Sequence, residues 1–476
     1  MLFTLGLLAK NFDVESEEFS EYKICSKKDL LEMYLFFIRS SDVDIQLKTL
    51  AGLGSFLTRY SEYMITEDIK KLYLHYIKSP NVAFALKSQV FQNLTDYLNE
   101  EDQRNLAKSV ELSKNHGSKD DLKEMLDVQS GMASTIIQSY LKPILDSYLT
   151  PNVNVRNHVF NCLSIILNQG LVYPIECVPY LVAMTTDDDK KIQARSLVHL
   201  TNLQKAHPNF VQSKSIAGVN VSFLLQKIIF KSQQQQPQKA NTASSDDLNT
   251  ARTQSDLVIR GFSEQGELLS LNHHLYSLLR PNRSHRRAFS QQLLKMFDDS
   301  YTHKTSLAHM LYISDNLAYF PYQLMDEPLY LIHQIDIIIS VTGINLLQTF
   351  KESLLNHRST AEKSEIKQQE QTVENIQTGD IDVNQDCPIE VDESTEGNGV
   401  LNSNSDKINC ENTNLNSSQK KAALQEDDDE ETYETVFNNL PPDLKTLKEC
   451  MYKAQGCCLL LILKMFFKEV YSINDR

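Results

Sequence analysis

At 476 residues, 41% of them hydrophobic, the chain is long enough for two or three domains or one extended solenoid, and its Leu-rich, Gly-poor, Trp-free composition leans towards helix. The net charge of -15 is local: residues 361–440 hold 20 Asp and Glu against 5 Lys and the remainder balances, so an acidic total does not exclude nucleic-acid binding by the helical part. Eight cysteines, at 25, 162, 177, 387, 410, 450, 457 and 458 with no CxxC pair, suit a reducing intracellular compartment better than a disulfide framework or a zinc site.

The first ten residues read as the second half of a helical pair. Ser26 is an N-cap for the amphipathic run DLLEMYLFFIRS, and Asp42 opens another helix that continues through LAGLGSFLTRY. Gly52 and Gly54 would be costly in an exposed helix, so they mark a close helix crossing. The pattern then recurs. Residues 69–77 and 82–101 flank Ser79-Pro80-Asn81, residues 134–149 and 153–170 flank Pro151-Asn152, and 177–187 turns into 190–206. The charge-rich stretch 102–130 reads as a surface loop with one short helix.

Three turn motifs, Asp44-Ile45-Gln46, Asn154-Val155-Arg156 and Lys191-Ile192-Gln193, lie about 110 and 37 residues apart, and a helical pair every 37 to 40 residues is the signature of HEAT-type repeats. Such pairs cannot bury their faces alone and stack into a curved solenoid; an irregular bundle is the alternative on pattern alone. The predicted fold is all-α, a HEAT-repeat α-solenoid over 1–230 and 257–354. A low-complexity, disordered linker is expected at 231–256 and a disordered acidic segment at 355–435, too polar to bury a core. Residues 436–472 supply terminal helices that pack back on the solenoid. The most apolar run, 456–467, is too short for a membrane span and contains Lys464, so one buried helix is expected there, and Cys162, Cys177, Cys457 and Cys458 read as small core residues.

The chain is organised around Ser270–Phe350, where apolar helical periods are broken by Pro281, Pro321 and Pro328. Ser284 is a good N-cap for the helix after Pro281. That helix carries His285, Arg286 and Arg287 in its first turn, where the macrodipole disfavours cations. Something anionic should compensate. An internal reading pairs the arginines with Asp298, Asp299 or Asp315; a functional one gives Arg280, Arg283, Arg286 and Arg287 to a nucleic-acid phosphate or an acidic partner surface.

Catalytic signatures are absent: the sequence has no Walker-type loop, no GxSxG, no HExxH and no paired-His ligand spacing. His273 and His274 are adjacent and are expected to point apart on a helix. Neither an enzyme nor a bound cofactor or metal is expected.

Several long strings resemble the C-terminal part of the Nipped-B family, also called sister chromatid cohesion protein 2. They are NLTDYLNEED at 93–102, LNQGLVYPIECVPYLVAMTTD at 167–187, HLYSLLRPNRSHRRAFSQQLLKMFDD at 274–299 and, longest, LYISDNLAYFPYQLMDEPLYLIHQIDIIISVTG at 311–343. The resemblance covers roughly 1–101, 121–354 and the helix at 456–470, with 150–230 and 257–354 forming the family's C-terminal domain. It implies a hook-shaped solenoid in the nucleus that contacts the ATPase heads and kleisin of the cohesin complex, holds double-stranded DNA, stimulates cohesin's ATP hydrolysis and loads cohesin on chromatin. A Mau2-type loader subunit would bind a segment outside this chain, which is expected to be a fragment. A protein-only HEAT adaptor, without DNA or membrane, is the competing reading.

Overall fold

The computed structural model describes residues 1–13, 26–114, 119–235, 258–263, 268–298, 305–374 and 444–474. Helix α1 spans Leu2–Asn11. Helix α2 (Lys27–Phe37) opens on a capping box in which Ser26 and Asp29 satisfy each other's backbone N–H. Next come α3 (Val43–Arg59), α4 (Glu67–Lys78), α5 (Phe84–Lys114), α6 (Lys119–Asp146) and α7 (Val153–Asn168). Helices α8 (Val178–Met184), α9 (Lys190–Ala206) and α10 (Pro208–Gln235) follow. A short antiparallel ladder pairs β1 (Phe262–Ser263) with β2 (Leu269–Ser270). Then come α11 (His273–Leu279), α12 (Arg283–Leu294), α13 (Leu307–Ala318), α14 (Asp326–Glu374) and α15 (Lys445–Val470).

The chain divides into two compact units, Met1–Leu346 with Met451–Arg476, and Leu347–Cys450. In the first, successive second helices stack on one another, α1 on α3, α3 on α5 and α5 on α7, while α4 packs on α6 and α8 on α10. This is the helical-repeat stack the spacing predicts. Its core is a continuous apolar cluster from Ala9 to Phe467. Gly52 permits the crossing of α1 on α3: a Cβ there would lie 2.6 Å from Leu2 O and 2.9 Å from the Tyr34 ring, and one on Gly6 would lie 2.3 Å from Gly52 O. Gly54 meets the Asn93 side chain in the same way.

Three of the turns close with one device. The N-caps Asp42, Asn152 and Asp189 accept from backbone N–H groups of their helices. Four residues on, Gln46, Arg156 and Gln193 donate back to the turn carbonyls of Ser40, Thr150 and Asp187. These are the third residues of the three aligned motifs. Arg156 also forms a bidentate pair with Asp187 at 2.8 and 3.2 Å, with both side chains excluded from solvent. The Tyr148 hydroxyl donates to the same carboxylate.

Five local expectations are corrected. Residues 102–114 and 119–130 continue α5 and α6 and do not form a loop, because Glu, Gln, Arg, Leu, Ala and Lys elongate a nucleated helix however polar they are. For the same reason α14 runs to Glu374, past the expected end at 354 and into the expected acidic segment, and α10 runs to Gln235, into the expected linker at 231–256; residues 236–256 and 375–435 lie outside the described residues. The run 456–467 belongs to the longer α15, which buries Leu460, Leu463 and Phe467 but exposes Leu461, Ile462 and Met465. Cys458 is accordingly exposed, whereas burial pushes the Cys162 and Cys177 thiols up to about 12. By length and composition α15 and the Asp326–Ser353 part of α14 could each cross a bilayer; each also contributes residues to the core.

Candidate functional site

The four arginines singled out from sequence converge around the first turn of α14. The N-cap of α12 is Asn282, not Ser284: its Oδ1 accepts from Ser284 N and His285 N at 2.9 and 3.3 Å. An Asx cap two residues earlier satisfies the same orphan N–H groups, and the proline-preceded turn favours it. Arg286, four residues after that cap, donates to Arg280 O at 3.2 Å. It thus occupies the position of Gln46, Arg156 and Gln193. The sequence motif Ser284-His285-Arg286 escaped alignment because a histidine stands where the other three carry an aliphatic residue.

The acceptors are Asp326 and Glu327. Asp326 receives Arg286 at 3.2 Å, Arg287 at 3.4 Å and Arg283 at 3.7 Å, and Arg286 also lies 3.5 Å from Glu327. Arg280 donates to Pro321 O at 3.0 Å, and Arg287 lies over the Tyr330 ring at 4.9 Å. Asp315, an expected internal partner, is held instead by Arg260 at 2.9 and 3.1 Å and by Gly261 N; Asp299 lies outside the described residues. Exposure separates the arginines: the Arg286 side chain is 10% exposed, Arg287 38% and Arg283 65%. Arg286 is therefore part of the repeat's internal wiring, while Arg283 and Arg287 share one half-exposed carboxylate and remain open to solvent.

Asp326 and Glu327 are partners that sequence reasoning missed. Read from sequence they are only an adjacent acidic pair, though their place in the first turn of a helix is where carboxylates are favoured. A buried polar network was missed as well. Asn272 donates to Tyr312 Oη and Asn316 Oδ1, Ser270 donates to the same Asn316 oxygen, and Ser222 links Tyr312 to Thr186. This network locks β2 and α13 onto α10. A cleft of about 620 Å³ beside it is walled by Asp187, Lys190, Gln193, Gln226 and Arg260, but Asp187 and Arg260 are committed to ion pairs. Among the described residues no group of three His, Cys, Asp or Glu is placed to hold a metal ion.

The described histidines form no such site either. The rings of His273 and His274 do not point apart; their centroids are 3.8 Å apart, since His273 opens α11 and its Nδ1 folds back to Ser270 O. Burial, with His273 adding to it, holds the His274 imidazole down at about 4. Burial alone does the same for His309, stacked on Phe223 at 4.4 Å. An unfolded histidine takes its proton near 6.5, so stability is full above that pH, falls as pH drops from 6.5 to about 4, and levels off below. For His309 the loss is expected to be on the order of 2 kcal/mol. Urea midpoints at pH 7 and pH 5 would show it, and His309→Gln should shrink the difference by that amount, leaving the share that His274 contributes; an unchanged difference refutes this origin.

The fold defines a class: a helical solenoid of HEAT-type repeats, here carrying a cluster of charged side chains at the start of α14. The family described as the sister chromatid cohesion C-terminus, of Nipped-B type, matches residues 133–338. The chain is 39% identical to Nipped-B-like protein of Homo sapiens over 364 residues, which is 76% of this chain and 12% of that protein. It is 35% identical to Nipped-B protein of Drosophila melanogaster over 486 residues, spanning 100% of this chain and 19% of that one. The C-terminal fragment of the Chaetomium thermophilum cohesin loader SCC2 shares the fold, with a TM-score of 0.54 at 17% identity over 74% of this chain and 24% of that chain. The chain belongs to the Nipped-B family of sister chromatid cohesion proteins. It spans well under a quarter of the length of these two relatives.

Proposed function

We propose that the chain is the C-terminal scaffold of a cohesin loading factor, a non-catalytic solenoid that acts in the nucleus on the cohesin complex and chromatin. The observation that carries this is the 39% identity over 364 residues to a Nipped-B-like protein. In this role the chain binds the cohesin ATPase heads and kleisin, holds double-stranded DNA against them and raises their rate of ATP hydrolysis. It needs no catalytic group. By binding the head-engaged, DNA-held state more tightly than the open one, it shifts the population towards the state that hydrolyses ATP. Arg283 and Arg287 supply part of the contact with the heads and kleisin, and Arg280 and Arg286 position them.

The test mixes the full chain with purified cohesin heads, bound kleisin and a short duplex DNA. Co-purification with the heads is expected, together with duplex binding whose log K falls against log salt by about 0.9 per phosphate contact. ATP turnover should rise only when chain and DNA are both present. A chain that captures neither heads nor duplex at low salt refutes the scaffold role; capture of the heads without any DNA binding would leave a protein-only adaptor.

A further inference from the structure

The arginine cluster does not stand alone on its surface. Leu324 and Met325, in the turn that delivers Asp326, are 54% and 51% exposed, and Leu329, one helical turn after Asp326, is 45% exposed. Tyr330 lies beneath the Arg287 guanidinium. Guanidinium groups and large apolar side chains are thus interleaved over the start of α14. Isolated exposed leucines are ordinary, but an apolar ridge rimmed by charge marks a contact surface.

Two features of this surface favour a protein over a nucleic acid. Duplex DNA offers a run of phosphates reached by polar donors, and nothing in it rewards three exposed apolar residues beside them. Protein interfaces combine apolar anchors with arginine at the centre. Moreover, Asp326 and Glu327 already offset half of the charge on Arg280, Arg283, Arg286 and Arg287. The surplus suits one or two carboxylates, not a phosphate track. We propose, resting on the scaffold role above, that Arg283 and Arg287 with Leu324, Met325 and Leu329 form a docking site for an acidic, amphipathic segment of a protein partner. Its carboxylates lie on the two open guanidiniums at the N-terminus of α12 and its apolar side chains on the ridge.

Two variants of the full chain decide this: Leu324→Ser with Met325→Ser and Leu329→Ser, and Arg283→Glu with Arg287→Glu. All five side chains are exposed or half-exposed, so both variants should fold; the serine variant should keep the parent's urea midpoint, and the charge reversal should lower it slightly because it sets two carboxylates beside Asp326. Each is titrated with purified cohesin heads bearing kleisin, and separately with a short duplex DNA. Both variants should weaken heads–kleisin binding about tenfold or more and leave the duplex affinity and its salt slope unchanged. Unchanged heads–kleisin binding by the serine variant overturns the proposal. So does a charge reversal that weakens duplex binding with a shallower slope, which would make the cluster a DNA surface. Sedimentation of the chain alone that shifts in the serine variant would assign the ridge to a second copy, again overturning it. If the parent chain binds neither probe, the scaffold role itself fails and this site falls with it.

Discussion

Arg156→Ala is expected to destabilise the chain by about 3–5 kcal/mol, more than the loss of any exposed ion pair would cost. The guanidinium is 1% exposed and serves three residues at once: both oxygens of Asp187, Thr150 O and Pro151 O. Removing it strands a carboxylate that is 0% exposed and whose remaining donors are a tyrosine hydroxyl and the Asp189 N–H. A single charge left without its counter-ion is much costlier than the loss of both. Arg156→Met combined with Asp187→Leu should therefore recover most of the stability. Because a solenoid's stability is a sum of neighbouring terms, the damage should be regional. Amide exchange ought to accelerate across α7, α8 and α9 before it does in α3 and α4. A uniform loss of protection, or a midpoint shift no larger than that of a surface substitution, would show that Arg156 and Asp187 are not the joint between these repeats.

Gly52→Val is expected to cost about 3 kcal/mol and to release α1 from the stack. The clash is with backbone: Leu2 O stands 2.6 Å from where a Cβ would sit, and an α-helix cannot move one carbonyl aside without moving the helix. The neighbouring Tyr34, whose hydroxyl donates to the same Leu2 O at 3.1 Å, would lose that bond as the helices separate. Exchange of the α1 amides should approach that of an unprotected peptide while α7 to α9 keep their protection. Normal α1 protection in the variant would mean that the crossing tolerates a side chain.

Much of the stack was legible because its signals are local. Ser26 and Asp42 announce helix starts by their own chemistry, Pro151-Asn152 announces a turn, and Gly52 announces a close crossing by its cost elsewhere. What stayed hidden depends on residues far apart in the chain. The carboxylate that receives the arginines lies some 40 positions from Arg286, and no period in the sequence ties Asp326 to α12. Asn272, just before α11, and Tyr312 and Asn316 in α13 look like ordinary polar residues in apolar surroundings; only their burial together turns them into a network. The polar halves of α5 and α14 mislead for a different reason. Absence of an apolar face argues against burial but not against helix, because elongation from a packed turn requires only acceptable propensity.

The turn-closing position shared by Gln46, Arg156, Gln193 and Arg286 bears on how sequence variants of such a protein are to be understood. A residue that ties a turn to its own helix is read by the cell through abundance, since a destabilised repeat feeds the unfolded pool that chaperones and proteases clear. Of the four arginines at the candidate site, Arg286 belongs to that class, and its loss would produce a weak allele indistinguishable from a lesion anywhere in the core. Arg283 is exposed and held only at 3.7 Å; under the docking role proposed above, it is the position at which a separation-of-function allele would be made.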